Sequence, residues 1–134
     1  MYNQSFGEIK FNHGWDINGK IMLWGKEYSI IITASAYFEE DCITAEQEKA
    51  FDIFKNNRND TESKIELLLN EYINKDIKDD FTSKTLSKYV IPKSFIFERN
   101  GGYALLLDYI NCPENGLAVQ LAPKETVLTQ DEYL

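Results

Sequence analysis

Apolar residues crowd most densely into positions 94–110, SFIFERNGGYALLLDYI. Asn100-Gly101-Gly102 at its middle supplies residues that tolerate positive φ, as the primed two-residue hairpin turns require. The β-favouring Phe95, Ile96 and Phe97 precede the turn, and a nearly unbroken apolar run from Tyr103 to Tyr109 follows it. Side chains alternate between the faces of a strand. Phe95 and Phe97 therefore project one way and Ile96 the other, while Leu105 and Leu107 oppose Ala104 and Leu106. A strand apolar on both faces is covered on both or sits centrally in its sheet. The pattern thus predicts a hairpin at the centre of the fold.

Weaker alternation marks the first third of the chain. Ile9 and Phe11 flank Lys10 in a short strand over 6–11, and Asn12-His13-Gly14 reads as a turn. A second strand is expected over 15–24, with Asn18-Gly19 as a turn or bulge inside it. Gly25-Lys26 fits a tight turn with Gly at its first central position. The third strand, 28–37, is apolar on both faces at Ile30-Ile31-Ile32.

After Glu39-Glu40-Asp41 the period becomes helical. Thr44-Ala45-Glu46-Gln47 matches the capping box. Ala50, Phe51, Phe54, Arg58, Thr61, Ile65, Leu68, Leu69 and Tyr72 then recur at three- and four-residue steps. That register persists through the polar patch 56–60 and predicts one long helix to about Lys75. The rival reading has Asn59 capping a second helix with Glu62 at its third position. Residues 82–90 read as a short helix ended by Pro92. Beyond the central hairpin, Cys112-Pro113-Glu114-Asn115-Gly116 is a loop, 117–122 a strand broken by Pro123, 126–129 a last short strand and 130–134 a tail. This order predicts a single α+β domain over 1–134. Its mainly antiparallel sheet is built from N- and C-terminal strand blocks, with a long acidic helix and a short helix between them.

A chain of 134 residues suffices for one domain with its own core. No run approaches the roughly 20 apolar residues of a membrane helix, and the opening MYNQSFGEIK lacks a basic start followed by an apolar block. The expectation is a cytoplasmic protein that makes no membrane contact, with Cys42 and Cys112 as free thiols. The net charge of −8 is uneven: thirteen acids against six bases lie between residues 39 and 80. Such a chain repels nucleic-acid backbones, and it has no basic stripe with interleaved aromatics.

Several chemistries lack their residues. The one histidine, His13, and two scattered cysteines cannot supply a zinc site of the usual N/S kind. Gly101-Gly102 joins two strands instead of opening a helix over a phosphate. No G-x-S-x-G elbow or calcium-loop spacing occurs. No cofactor or metal is therefore expected, and no enzyme. Glu98 and Asp108 are the one carboxylate pair on a rigid element that could do acid/base work, and their places at strand ends suit plain solvent-facing charges better. What remains is surface. At ~100° per residue on a continuous helix, Glu48, Asp52, Glu62 and Glu66 fall within ~80° of one another. With Trp24 in the aromatic turn Trp24-Gly25-Lys26-Glu27-Tyr28, they are the candidate contacts for a basic, toxin-like protein partner, attracted by charge.

Phe6-Gly7-Glu8-Ile9, the Trp24–Tyr28 turn, Gly102-Tyr103-Ala104-Leu105-Leu106-Leu107-Asp108, Gly116-Leu117-Ala118-Val119 and the ending Gln130-Asp131-Glu132-Tyr133-Leu134 occur in a telling order. In it the chain resembles a family of small bacterial domains of unknown function, some of them similar to immunity proteins of polymorphic-toxin systems. The resemblance implies a cytoplasmic bacterial α+β domain with an immunity-like, protein-binding role. It carries over no catalytic residues.

Overall fold

Two helices lie on one face of a seven-stranded sheet. The computed structural model describes residues 2–12, 14–77, 89–110 and 113–133. Strands β1 (Tyr2–Asn3) and β2 (Gly7–Glu8) form a small separate ribbon. The large sheet holds β3 (Lys10–Phe11), β4 (Trp15–Leu23), β5 (Lys26–Ala34), β6 (Val90–Phe97), β7 (Tyr103–Tyr109), β8 (Leu117–Ala122) and β9 (Thr126–Thr129), side by side in chain order. Helices α1 (Ala45–Asn56) and α2 (Arg58–Ile77) lie between β5 and β6 in the chain, and α3 (Gln130–Tyr133) follows β9.

Neighbouring strands are antiparallel except at β5–β6, which pair in parallel from Ile31↔Ser94 to Ala34↔Phe97. Parallel neighbours need a long crossover, and the helical segment supplies it. The two expected strand blocks therefore meet along one seam, and the expected central hairpin is β6–β7.

Alternation decides the core. Ile21, Leu23, Ile30, Ile32, Phe95, Phe97, Leu105, Leu107 and Val119 are buried with Phe51, Phe54, Ile65, Leu69 and Ile73 of the helices in one cluster. Phe54 meets Phe95 at 4.7 Å between ring centroids and Phe51 meets Phe97 at 5.3 Å, while Phe6 stacks on Phe51 at 4.2 Å. Aromatic pairs of this kind contribute about 0.5–1.5 kcal/mol each beyond area burial.

The single long helix expected from the register is two. Asn57, at φ −123° and ψ 35°, leaves the helical region, and its N–H is shared between the carbonyls of Ile53 and Phe54. Its Nδ2 also donates to the Ile53 carbonyl at 3.0 Å. This is the local side-chain competition that makes asparagine a weak helix former. The break falls at Asn57, so Asn59 lies inside α2 and caps nothing. The apolar stripe still runs on in register, from Gln47, Ala50, Phe51 and Phe54 to Thr61, Ile65, Leu69 and Ile73.

Other expectations shift as well. Asn18 and Gly19 make neither turn nor bulge: they pair regularly with Ile31 and Ile30 inside β4. A Cβ at 19 would run into the Ile32 side chain, which would have to shift to admit it. Leu23 pairs with Lys26, so the turn residues are Trp24 and Gly25, one position earlier than expected. Both have positive φ, 54° and 72°, as a type I′ turn requires. The third strand stops at Ala34, and the strand expected over 6–11 is divided between β2 and β3. Val90 already belongs to β6, and Pro92 sits inside that strand beside a bulge. Tyr89 lies in a turn, and residues 82–88 of the expected short helix, with His13 and Cys112, lie outside the described residues.

Candidate protein-binding surface

The four helical acids singled out in the sequence are all engaged within the chain. Glu62 is only 8% exposed; its Oε2 accepts the Met22 N–H at 2.6 Å, with Arg58 Nε at 3.7 Å. Glu66 Oε1 accepts the Trp24 N–H at 2.9 Å. β3 pairs only with Trp15 and Asp16, which leaves the far half of β4 without a strand on its outer side. Two carboxylates from α2 occupy that edge, where unpaired N–H groups would otherwise template strand addition. On α1, Asp52 accepts from Ser5 Oγ at 3.2 Å and Glu48 from Asn3 Nδ2 at 3.4 Å. Lys55 Nζ binds both Asp52, at 3.4 Å, and the Ser5 carbonyl, at 2.6 Å. The acids thus form two pairs on two helices, one holding the N-terminal ribbon and the other the edge of β4. Trp24 is half-buried against the core cluster. Glu98 and Asp108 sit at opposite ends of the β6–β7 hairpin: Glu98 beside the turn, Asp108 opposite Ile91 and 3.7 Å from Lys93.

A different surface is built where β5 hands the chain to α1. Asp41 Oδ2 accepts the N–H groups of Tyr37 at 3.2 Å and Phe38 at 3.1 Å, and the Asp41 N–H closes a turn onto the Phe38 carbonyl at 3.0 Å. Trp15 Nε1 donates to the Asp41 carbonyl at 2.7 Å. Arg99 reaches from the end of β6 to the carbonyls of Ser35, at 3.3 Å, and Cys42, at 3.2 Å. Gln47 completes the expected capping box with Thr44 and is fully buried; its Nε2 also donates to the carbonyls of Ser35 at 2.9 Å and Phe97 at 3.0 Å, across the β5–β6 seam.

The loop is tied at both ends, yet its two aromatics are turned outward: Tyr37 is 84% exposed and Phe38 65%. Glu39, Glu40 and Glu46 are exposed beside them, and the Glu46 backbone lies against Gly101 of the β6–β7 turn. A recess of about 490 Å³ adjoins Tyr37, lined by Ser35, Ala36, Ile96, Glu98, Arg99 and Asn100. Sequence reasoning read this stretch as the close of a strand. The available signal was two adjacent aromatics followed at once by three acids, with Asp41 positioned to bind the backbone behind it.

The C-terminal tail is also ordered. Thr129 and Glu132 form a second capping box: the Thr129 N–H donates to Glu132 Oε1 at 3.1 Å, and the Glu132 N–H to Thr129 Oγ1 at 3.2 Å. The T-x-x-E spacing is its sequence signal. α3 brings the Tyr133 hydroxyl within 3.3 Å of Glu98 Oε1, past β8 and β7. Burial, followed by the charge of Glu98 and the hydrogen bond to it, pushes the Tyr133 phenol well above its usual range. Burial also raises those of Tyr28 and Tyr103.

Among the described residues, no three or more His, Cys, Asp or Glu side chains are grouped to hold a metal ion. No described helix is long and apolar enough to cross a membrane. No protein-family model, characterised protein or solved structure matches the chain.

Proposed function

We propose that this protein is a non-enzymatic binding domain whose partner is a basic protein, in the manner of immunity proteins that block a toxin. The reading has it act in the bacterial cytoplasm, as the sequence resemblance implies. The observation that carries it is the charge at one end of the molecule. Glu39, Glu40 and Glu46 are exposed there with Glu98 close by, and the one guanidinium among them, Arg99, is directed at two backbone carbonyls. Acids gathered on one surface raise the encounter rate with a basic partner and repel acidic ones.

The test is association with the purified product of the gene adjoining its own. A complex is expected, with an association rate that falls at least about tenfold between low and high salt. No complex at concentrations of about 10 μM, or a rate indifferent to salt, would set the reading aside.

A further inference from the structure

We infer that Tyr37 and Phe38 are the anchors by which this domain grips its partner, and that the recess beside Tyr37 receives a lysine or arginine side chain of that partner. The inference rests on the binding reading above and adds to it where the contact is made.

Three observations converge. The first is exposure without slack. Two large aromatics at 84% and 65% exposure would ordinarily sit on a loose loop. Here the backbone behind them is fastened by Asp41, Trp15 and Arg99. A pre-ordered loop loses little conformational entropy on docking, and tyrosine is among the residues that dominate interface energies.

The second is the recess. Ile96 and Ala36 offer apolar wall to an aliphatic stem, the Tyr37 ring can cover a cation, and Glu98, one oxygen of which accepts from Tyr133, supplies the opposite charge. Arg99 also lines the recess, with its guanidinium turned onto the Ser35 and Cys42 carbonyls.

The third is the surrounding charge, which selects among occupants. At a two-fold interface between copies of this chain, the same patch faces itself. Glu39 and Glu40 would then approach their own copies, which is unfavourable. Phosphate backbones and anionic lipid surfaces are disfavoured by the same acids. A basic protein face with an apolar pocket suits the two exposed aromatics and the acids around them.

The experiment compares wild type, Tyr37→Ala/Phe38→Ala, Glu39→Lys/Glu40→Lys and a distant control, Leu67→Ala, on α2 at 59% exposure. Each is titrated against the purified product of the adjoining gene, with association and dissociation rates at about 50 and 500 mM salt. Thermal midpoints confirm that each variant folds. The double alanine variant is expected to bind about 100-fold more weakly, mostly through faster dissociation. The double lysine variant should associate about tenfold more slowly at low salt and converge with wild type at high salt. Leu67→Ala should match wild type. If the double alanine variant binds within about threefold of wild type, the anchors are elsewhere, and the binding reading stands without this inference. If wild type forms no complex, both fall. If wild type forms dimers in sedimentation that the double alanine variant loses, the occupant is a second copy and the basic-partner assignment is overturned.

Discussion

Glu62 and Glu66 on α2, and Glu39 and Glu40 beside Tyr37, belong to one acidic stretch of sequence, and nothing in their identity sets them apart. Their surroundings do. The α2 pair turns inward onto the N–H groups of Met22 and Trp24. There each carboxylate does for the edge of β4 what a neighbouring strand would do. The pair after β5 is exposed, on a loop whose backbone is held by a third acid, Asp41. A count of acids along the chain therefore overstates the charge available to a partner. Part of the −8 is structural adhesive, and part faces outward at one end of the sheet.

Three measurements can break or sharpen that contrast. Both regions depend on the same sheet, so a core truncation sets the scale. Leu105→Ala should lower stability by about 2–5 kcal/mol in urea denaturation, since Leu105 is fully buried in the central hairpin. A loss below about 1 kcal/mol would mean that this hairpin is not the common support. Next, Glu62→Ala should cost about 1–3 kcal/mol, because the Met22 N–H loses its charged, largely buried acceptor. Glu39→Ala should stay within about 0.5 kcal/mol, as surface changes away from such contacts do. Amide exchange at Met22 should speed up in the first variant and not in the second. Equal stabilities for the two would erase the distinction drawn here.

The smallest effect concerns Glu98, half-way between the two kinds because Tyr133 binds it. The Tyr133 phenol is raised in the folded state, so the unfolded chain gives up its proton first. Stability from this group is full below about pH 10, the ordinary tyrosine value, and is lost as pH climbs above it. Tyr133→Phe should lower stability at neutral pH by about 1 kcal/mol and flatten the decline of the thermal midpoint between about pH 10 and 12. An unchanged alkaline slope would place the titration in other groups, such as Tyr28 and Tyr103.

Strong local signals in the sequence survived into the structure. The Thr44–Gln47 box and the two-faced apolar strands of the central hairpin each follow from a short run of residues, and so does the position of the β6–β7 turn. Its type differs from the expected primed two-residue turn: it is a three-residue loop over 99–101, closed by the Glu98 N–H on the Gly102 carbonyl, with positive φ at Gly101 alone. The helical register from Ala50 to Leu69 was also legible, because burial obeys the same period on both sides of Asn57. The break itself was not, since it depends on one asparagine side chain bonding the turn behind it. The type I′ turn was misplaced by one residue because Trp24 holds a positive φ that aromatic side chains rarely adopt; its N–H bond to Glu66 is a tertiary contact. The candidate site was least legible of all. Helical angles place Glu48, Asp52, Glu62 and Glu66 on one flank, but only the fold reveals which backbone groups sit opposite them. Tyr37 and Phe38 read like the end of a strand until Arg99 and Trp15 are seen to hold the loop open.

The parallel seam between β5 and β6 has a consequence for the order of assembly. Every other pairing in the large sheet joins strands close in sequence, and hairpins of that kind close in microseconds. The β5–β6 contact must bring together strands with residues 35–89 between them, and loop closure makes such a contact slow to form. Gln47, bonded to Ser35 on one side of the seam and Phe97 on the other, can act only once α1 has docked. The folding chain is therefore expected to behave as two quick halves waiting on one late join, with the buried Gln47 amide as part of its clasp.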